Sequence, residues 1–406
     1  MSNTFHIFAN AALGKGLSGG DRIFIEFAKR LSKKYPVTIQ VWREGYLMCQ
    51  RQGLKRNKNL KFALLKVDNL CKLGFLICYL ARIVASLVTA FRINVINEKS
   101  TVIYSASEFW MDSLPALILK LRFPKITWAA GWFQTAPNPL IGFTQGHRKD
   151  AYRLSAFYHW FMQLPIKPLI EAFADFVLVN NDEEKKQFPS LNKQDKAIVI
   201  LGAVNTDEIE YWKSKHSRED LPKIYQAVFQ GRFHPQKGVV ELISIWKIVT
   251  NKLPDAELAM IGDGPLMDEV KNKIKELGLQ KNVYLFGYVF DGDEKYRIFS
   301  QSQIVVHPSF YDSGGMASAE AMAFGLPCIG FNLESYKSYY PKGMVKVAVG
   351  DLQGFANMII ELLENKNKRD RIGRKAQKII NENWSWDKRV NQLMTTLKAA
   401  GYFEDK

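Results

Sequence analysis

Short apolar runs alternate with longer stretches in which apolar residues recur at three- and four-residue spacing over nearly the whole chain. The runs at residues 5–9, 37–42, 102–105, 126–130, 176–180 and 197–201 read as strands, with helical stretches between several of them. The pattern restarts after the polar stretch 213–223, with strand-like runs at 225–230, 256–261, 283–286, 303–307 and 328–331. Strands alternating with helices predict parallel sheets covered by helices. The fold class expected is therefore α/β, with two Rossmann-like domains at residues 1–206 and 207–386. A length of 406 residues suits two domains of about 200 residues each. No short internal repeat or low-complexity tract interrupts the pattern. A ligand is expected at the carboxyl ends of strands, between the domains.

Candidate chemistry gathers at strand exits. Gly14-Lys15-Gly16-Leu17-Ser18-Gly19 matches G-x-G-x-x-G, but the preceding strand ends several residues too early. The second strand also ends in Gln40-Val41-Trp42, where a ribose-binding acid belongs in a dinucleotide site. The readings open here are a nicotinamide site, a loop without a ligand, and a turn at Gly19 and Gly20 that approaches a phosphate or sugar through backbone amides. Gly231-Arg232-Phe233-His234-Pro235-Gln236-Lys237-Gly238 leaves a strand and enters a helical pattern. Arg232 and Lys237 can grip a diphosphate there from two sides, and a helix amino terminus adds favourable partial charge. Two solvated cations on a turn is the plainer reading. Gly262 and Gly287 end the next strands, where the lack of a side chain lets a flat base or ribose approach; a turn alone would also use them.

The segment 307–327 carries the most specific signal. Gly314 and Gly315 open a helix of small residues from Met316 onward, so its first amides are expected to be free for an anionic ligand. Asp312 lies just before that helix and Glu320 inside it. A carboxylate can accept from two vicinal hydroxyls, as ribose or hexose recognition requires.

Charge adds a partner. The net charge of +16 indicates an anionic one. Between Glu44 and Glu98 the only acid is Asp68, while Arg51, Lys55, Arg56, Lys58, Lys61, Lys66, Lys72, Arg82 and Arg92 all fall there. Because basic and apolar residues share this segment, an anionic membrane surface is expected; no nucleic-acid motif accompanies it. Residues 69–91 are long and apolar enough to span a bilayer. Yet Lys72, Tyr79, Arg82, Ser86 and Thr89 recur as one polar stripe, which favours a helix lying on its domain or on the membrane interface. The four cysteines, Cys49, Cys71, Cys78 and Cys328, lack metal-ligand spacing, so a reducing compartment and no zinc site are expected. The first ten residues lack the pattern of a secretory signal, and a cytoplasmic protein, peripheral on the inner face of the cell membrane, is expected.

The Gly19-Gly20 pair, the element from Gly231-Arg232 to Lys237-Gly238, Gly262-Asp263-Gly264-Pro265, and the block from Pro308-Ser309 to Glu320-Ala321-Met322-Ala323 with Gly325 and Pro327 together resemble the family-4 retaining glycosyltransferases of GT-B fold, glycosyl transferases group 1. The resemblance implies that Arg232 and Lys237 bind the donor diphosphate, Glu320 the ribose hydroxyls, and the first acid of a Glu-x(7)-Glu pattern the transferred sugar. Here that acid is Asp312. It also implies that residues 387–406, after Trp384-Ser385-Trp386, form a helix that returns to the first domain. Many members carry a His after a central strand, where this chain reads Thr127-Trp128-Ala129-Ala130-Gly131-Trp132-Phe133. No side chain is therefore nominated as a base; His147 and His159 are possible helpers, and His307 is read as a packing residue at a strand end.

The activity expected is retaining, metal-independent transfer of a sugar from a UDP- or GDP-sugar to a lipid-linked or membrane-associated glycan, in polysaccharide, glycolipid or lipopolysaccharide synthesis. Arg232, Lys237 and Asp312 are the catalytic candidates. Gly19, Gly20, Gly262, Gly287, Gly314, Gly315, Met316 and Glu320 join them in donor binding. Neither cofactor nor metal is expected beyond the nucleotide-sugar substrate. A nucleotide-sugar epimerase of the same fold and a catalytically silent nucleotide-sugar-binding protein are the alternatives, with an NAD enzyme behind them.

Overall fold

The computed structural model describes residues 3–12, 17–144, 152–200, 202–217 and 221–401. Of the sequence candidates, Gly14, Lys15, Gly16 and His147 lie outside them. The chain divides into two compact units: Met1–Ala136, Tyr158–Gly202 and Trp386–Lys406 form the first, and Pro137–Phe157 with Ala203–Ser385 form the second.

The first unit is built on β1 (Thr4–Phe8), β2 (Val37–Trp42), β3 (Leu60–Leu65), β4 (Thr101–Ser105), β5 (Thr127–Trp132), β6 (Phe176–Val179) and β7 (Ala197–Val199). They form one parallel sheet in the order β3-β2-β1-β4-β5-β6-β7. Every residue of β4, β5 and β6 is buried, which is why these strands read as continuous apolar runs and not as alternation. The helix Gly19–Leu31 begins with a capping box, Ser18 accepting from the Asp21 amide and Asp21 accepting from the Ser18 amide. Its Arg30 pairs with Asp387 at 3.0 Å. That contact ties it to the final helix Trp386–Ala399, which buries Trp386, Leu393 and Leu397 in this unit. The return of the last helix to the first domain is thus realised.

The second unit holds β8 (Tyr225–Gln230), β9 (Leu258–Ile261), β10 (Val283–Gly287), β11 (Ser302–His307), β12 (Cys328–Phe331) and β13 (Met344–Val347), a parallel sheet in the order β10-β9-β8-β11-β12-β13. Its core places Trp246 of the helix Val239–Lys252 against sheet residues such as Phe229, Met260 and Phe331.

Three local readings need correction. Strands β3 and β13 were not anticipated: β3 is an edge strand inside the basic segment, where Lys61 hides its pattern, and β13 is a short run containing Lys346. The helix expected over 69–91 is broken. A short helix Asp68–Cys71 ends before Gly74, whose φ of 117° favours glycine, and a second helix runs Phe75–Arg92. Its polar stripe faces inward and an apolar face points out, because Tyr79, Arg82 and Ser86 are buried while Phe75, Leu76, Leu80 and Val84 are exposed. Finally, Cys71 and Cys78 are joined by a disulfide across this break, a pairing the sequence reading did not anticipate. Cys49 and Cys328 are free and buried.

Candidate functional site

In an open parallel sheet, ligands bind outside the carboxyl ends of strands where the strand order reverses. In the second unit that point lies between β8 and β11, which pair directly. The loops leaving these two strands are bonded to each other, Phe310 N–H donating to Gln236 O at 2.8 Å. Gly238, at φ 61°, completes the join, since a Cβ there would stand 2.1 Å from Pro308 O. This backbone seam brings the Lys237 and Asp312 side chains together.

Asp312 is buried, and its carboxylate is fully occupied. Oδ1 accepts from the amides of Gly314 at 3.2 Å and Gly315 at 3.0 Å. Oδ2 accepts from Lys237 Nζ and from His307 Nε2, the latter at 2.9 Å. A carboxylate offers about four lone-pair positions, and all four are filled within the protein. Burial opposes ionisation, but the Lys237 charge and the His307 hydrogen bond outweigh it and hold the carboxyl well below its usual range. Burial pushes the His307 imidazole below its usual range, against the opposing pull of Asp312. Two expectations change. The amides of Gly314 and Gly315 face Asp312, not an open anion site, and Asp312 turns onto the helix Met316–Met322 and does not project from it. His307 packs as expected, its ring stacked 6.4 Å from Phe229, and also bonds Asp312.

Glu320 sits 6% exposed on that helix. Its Oε2 accepts from Gln230 Nε2 at 2.9 Å and Lys295 Nζ at 2.6 Å. Lys295, 1% exposed in its side chain, also pairs with Asp291. A buried carboxylate at a strand-order reversal is thereby fixed in place, sharing one buried cation with Asp291. Sequence reasoning missed both partners. The signal for Lys295 was present: it lies on the same face as Ile298 and Phe299 in the helix Asp293–Ser300, an apolar stripe where a cation is out of place.

Arg232, just beyond β8, is exposed. Between it and Lys237 lies His234, whose ring is 5.1 Å from Phe143 and 6.0 Å from Tyr152. Burial first, then the Arg232 and Lys237 charges, push its pKa down to about 4. Its Nδ1 is buried with no hydrogen-bond partner among the described residues. Gly262 lies at φ 145° with its Cβ position 1.8 Å from Gly231 O, so backbone packing alone demands glycine there. Gly287, by contrast, has open space where a Cβ would stand. Gly19 and Gly20 open the first helix of the other unit and are not part of this cluster. His159 also belongs to the first unit, where it stacks 5.9 Å from Phe109 and stands 3.5 Å from Glu108.

Residues 208–379 match the sequence profile of the glycosyl transferases group 1 family. An uncharacterized glycosyltransferase of Methanocaldococcus jannaschii is 31% identical over 169 residues, 39% of this chain and 39% of that protein's own length. A phosphatidyl-myo-inositol mannosyltransferase of Mycobacterium leprae is 24% identical over 292 residues, 70% of this chain and 75% of its own. Among solved structures, that of Anabaena HepE in complex with UDP and glucose shares the fold, with a TM-score of 0.69 over 98% of this chain and 100% of that one at 15% identity. The profile match contains Arg232, Lys237, Asp312 and Glu320, and the two parallel α/β sheets are those of GT-B proteins. Over residues 208–379 the chain is therefore similar to the glycosyl transferases group 1 family, and over its whole length it shares the fold of these solved structures.

Proposed function

We propose that the protein is a retaining, metal-independent glycosyltransferase that moves a sugar from a UDP- or GDP-sugar to a lipid-linked or membrane-associated glycan. The observation that carries this reading is the bonded pair of strand exits at the β8–β11 reversal, which joins Lys237 to Asp312, while Gln230 at the end of β8 fixes the buried Glu320. Arg232 and Lys237 bind the donor diphosphate. Glu320 accepts from the ribose hydroxyls. Asp312 acts as a positioning residue: it aims Lys237 and sets the end of the helix that bears Glu320.

In the transfer, the bond between the anomeric carbon and the diphosphate oxygen breaks, and the acceptor oxygen bonds to that carbon on the same face. The acceptor proton passes to the departing phosphate oxygen, so the step needs no protein nucleophile. Arg232 and Lys237 stabilise the charge that develops on that phosphate. A membrane-associated acceptor is supported by the exposed cations Lys55, Arg56, Lys58, Lys61, Lys66 and Lys72. Placement on the cytoplasmic face of a membrane belongs to the same proposal.

Incubating purified protein with a panel of nucleotide sugars, with and without membrane lipid extract, tests it. Acceptor-dependent release of nucleoside diphosphate, with the donor's anomeric configuration kept in the product, is the expected result. Isomerisation of the donor without an acceptor would replace this reading with an epimerase.

A further inference from the structure

The helix Phe75–Arg92 buries its polar stripe together with Cys78, Ile83 and Ala90 and leaves a second, apolar face exposed. A surface helix ordinarily buries its apolar stripe and shows its polar one to water. Here Arg82 is 2% exposed, while Phe75 is 73%, Leu76 65%, Leu80 51%, Val84 59% and Phe91 62% exposed. The inward side is held by specific bonds. Arg82 Nη1 donates to Asn10 O at 3.1 Å, and its guanidinium lies 4.8 Å from the Trp42 ring. Farther along the same face, Tyr79 OH donates to Met162 Sδ at 3.1 Å. Beside this helix, the end of the helix Arg153–Gln163 adds exposed Trp160 and Phe161, with Met162 O accepting from Trp110 Nε1 at 2.6 Å. The exposed residues of the helix thus form an apolar face, and Trp160 and Phe161 are exposed on the helix that Tyr79 contacts through Met162. Apolar patches of this kind mark contact sites.

We propose that this face inserts into the acyl region of an anionic bilayer, so that the helix Phe75–Arg92 lies in the plane of the membrane interface and does not cross it. The charges flanking the face select the occupant. Exposed Lys66 and Lys72 precede the helix, exposed Arg92 ends it, and Asp68 is the only acid between Glu44 and Glu98. An anionic headgroup layer satisfies those cations, and Trp side chains favour that depth. A second copy of the chain would bring like charges against them. A spanning helix would have to release Arg82 and Tyr79 from their partners. The inference deepens the membrane-surface part of the proposed function and rests on it.

An environment-sensitive fluorophore on a Leu80→Cys variant tests insertion directly, since Cys49 and Cys328 are buried and the other two cysteines are bonded to each other. With vesicles of phosphatidylcholine and phosphatidylglycerol the probe should shift to the blue. The same probe on Lys281→Cys, an exposed position of the other unit, should not. A Leu80→Asp/Val84→Asp double variant should lose at least about tenfold in vesicle partitioning, the scale of burying one large apolar side chain. It should keep wild-type nucleoside diphosphate affinity in lipid-free solution. A bound protein whose Leu80→Cys probe does not shift would overturn the inference in favour of simple adsorption. So would a lipid-free dimer that the double variant abolishes, or vesicle binding that resists both high salt and carbonate. A blue shift in a protein that binds no nucleotide would uphold insertion and remove the transferase reading instead.

Discussion

Replacing Asp312 by Asn separates two jobs that one carboxylate performs. An amide oxygen accepts as a carboxylate oxygen does, so the Asn Oδ1 can keep the bonds from the Gly314 and Gly315 amides at 3.2 and 3.0 Å. Its Nδ2, however, is a donor where Oδ2 was an acceptor, and it would face two donors, Lys237 Nζ and His307 Nε2. Two charge-assisted bonds, each about 1.5–3 kcal/mol, are lost. Part of that is returned because a buried charge is removed, which leaves a net cost of about 2 kcal/mol. For a unit of this size the melting temperature should fall by about 4–8 °C. Lys237, no longer aimed, should bind the donor diphosphate less well, and kcat/KM should fall by about 10- to 100-fold. Calorimetric melting and steady-state transfer on one preparation measure both. A variant with wild-type melting temperature and full transfer would show that Asp312 only caps the helix and would refute its role in placing Lys237.

Arg232→Ala and Lys237→Ala should each lower kcat/KM by about 10- to 1000-fold, read by initial rates against donor concentration, and the exposed Arg232 should leave the melting temperature almost unchanged. Lys295→Met should leave the buried Glu320 and the half-buried Asp291 without their shared cation, a loss of about 3–5 kcal/mol in chemical denaturation. Burial pushes the Asp112 carboxyl up to about 8, from the 3.8 of a free aspartate. The stability it contributes is therefore present below 3.8 and is lost as pH rises through about 8. Asp112→Asn should flatten the fall in melting temperature across that window.

Parallel α/β architecture was legible because buried strands in such sheets are largely apolar runs, and even Val37–Trp42 and Tyr225–Gln230, each carrying glutamine, had their ends located to the residue. Edge strands obey weaker constraints. Leu60–Leu65 carries an exposed lysine on one edge of its sheet and gives no such signal. The site's cations and acids were legible as residues at strand exits, but their pairings were not. Spacing says nothing about whether Asp312 faces a sugar or its own helix, because that choice depends on a loop-to-loop seam between Gln236 and Phe310, residues distant in sequence. The helix Phe75–Arg92 was legible as amphipathic but not in its orientation. Periodicity gives two faces, and which one is buried depends on whether a partner such as Asn10 O waits for the arginine.

Calorimetric titration of UDP and GDP into the wild type and Glu320→Gln tests the central claim, that the β8–β11 reversal binds a nucleotide-sugar donor through Glu320. The amide keeps the size of the side chain and removes its charge, so the loss of charge-assisted bonds to two hydroxyls should weaken binding by about 10- to 150-fold, or about 1.5–3 kcal/mol. The fold should remain intact. Equal affinity in the two proteins, or no binding of either nucleotide to the wild type, would contradict the account.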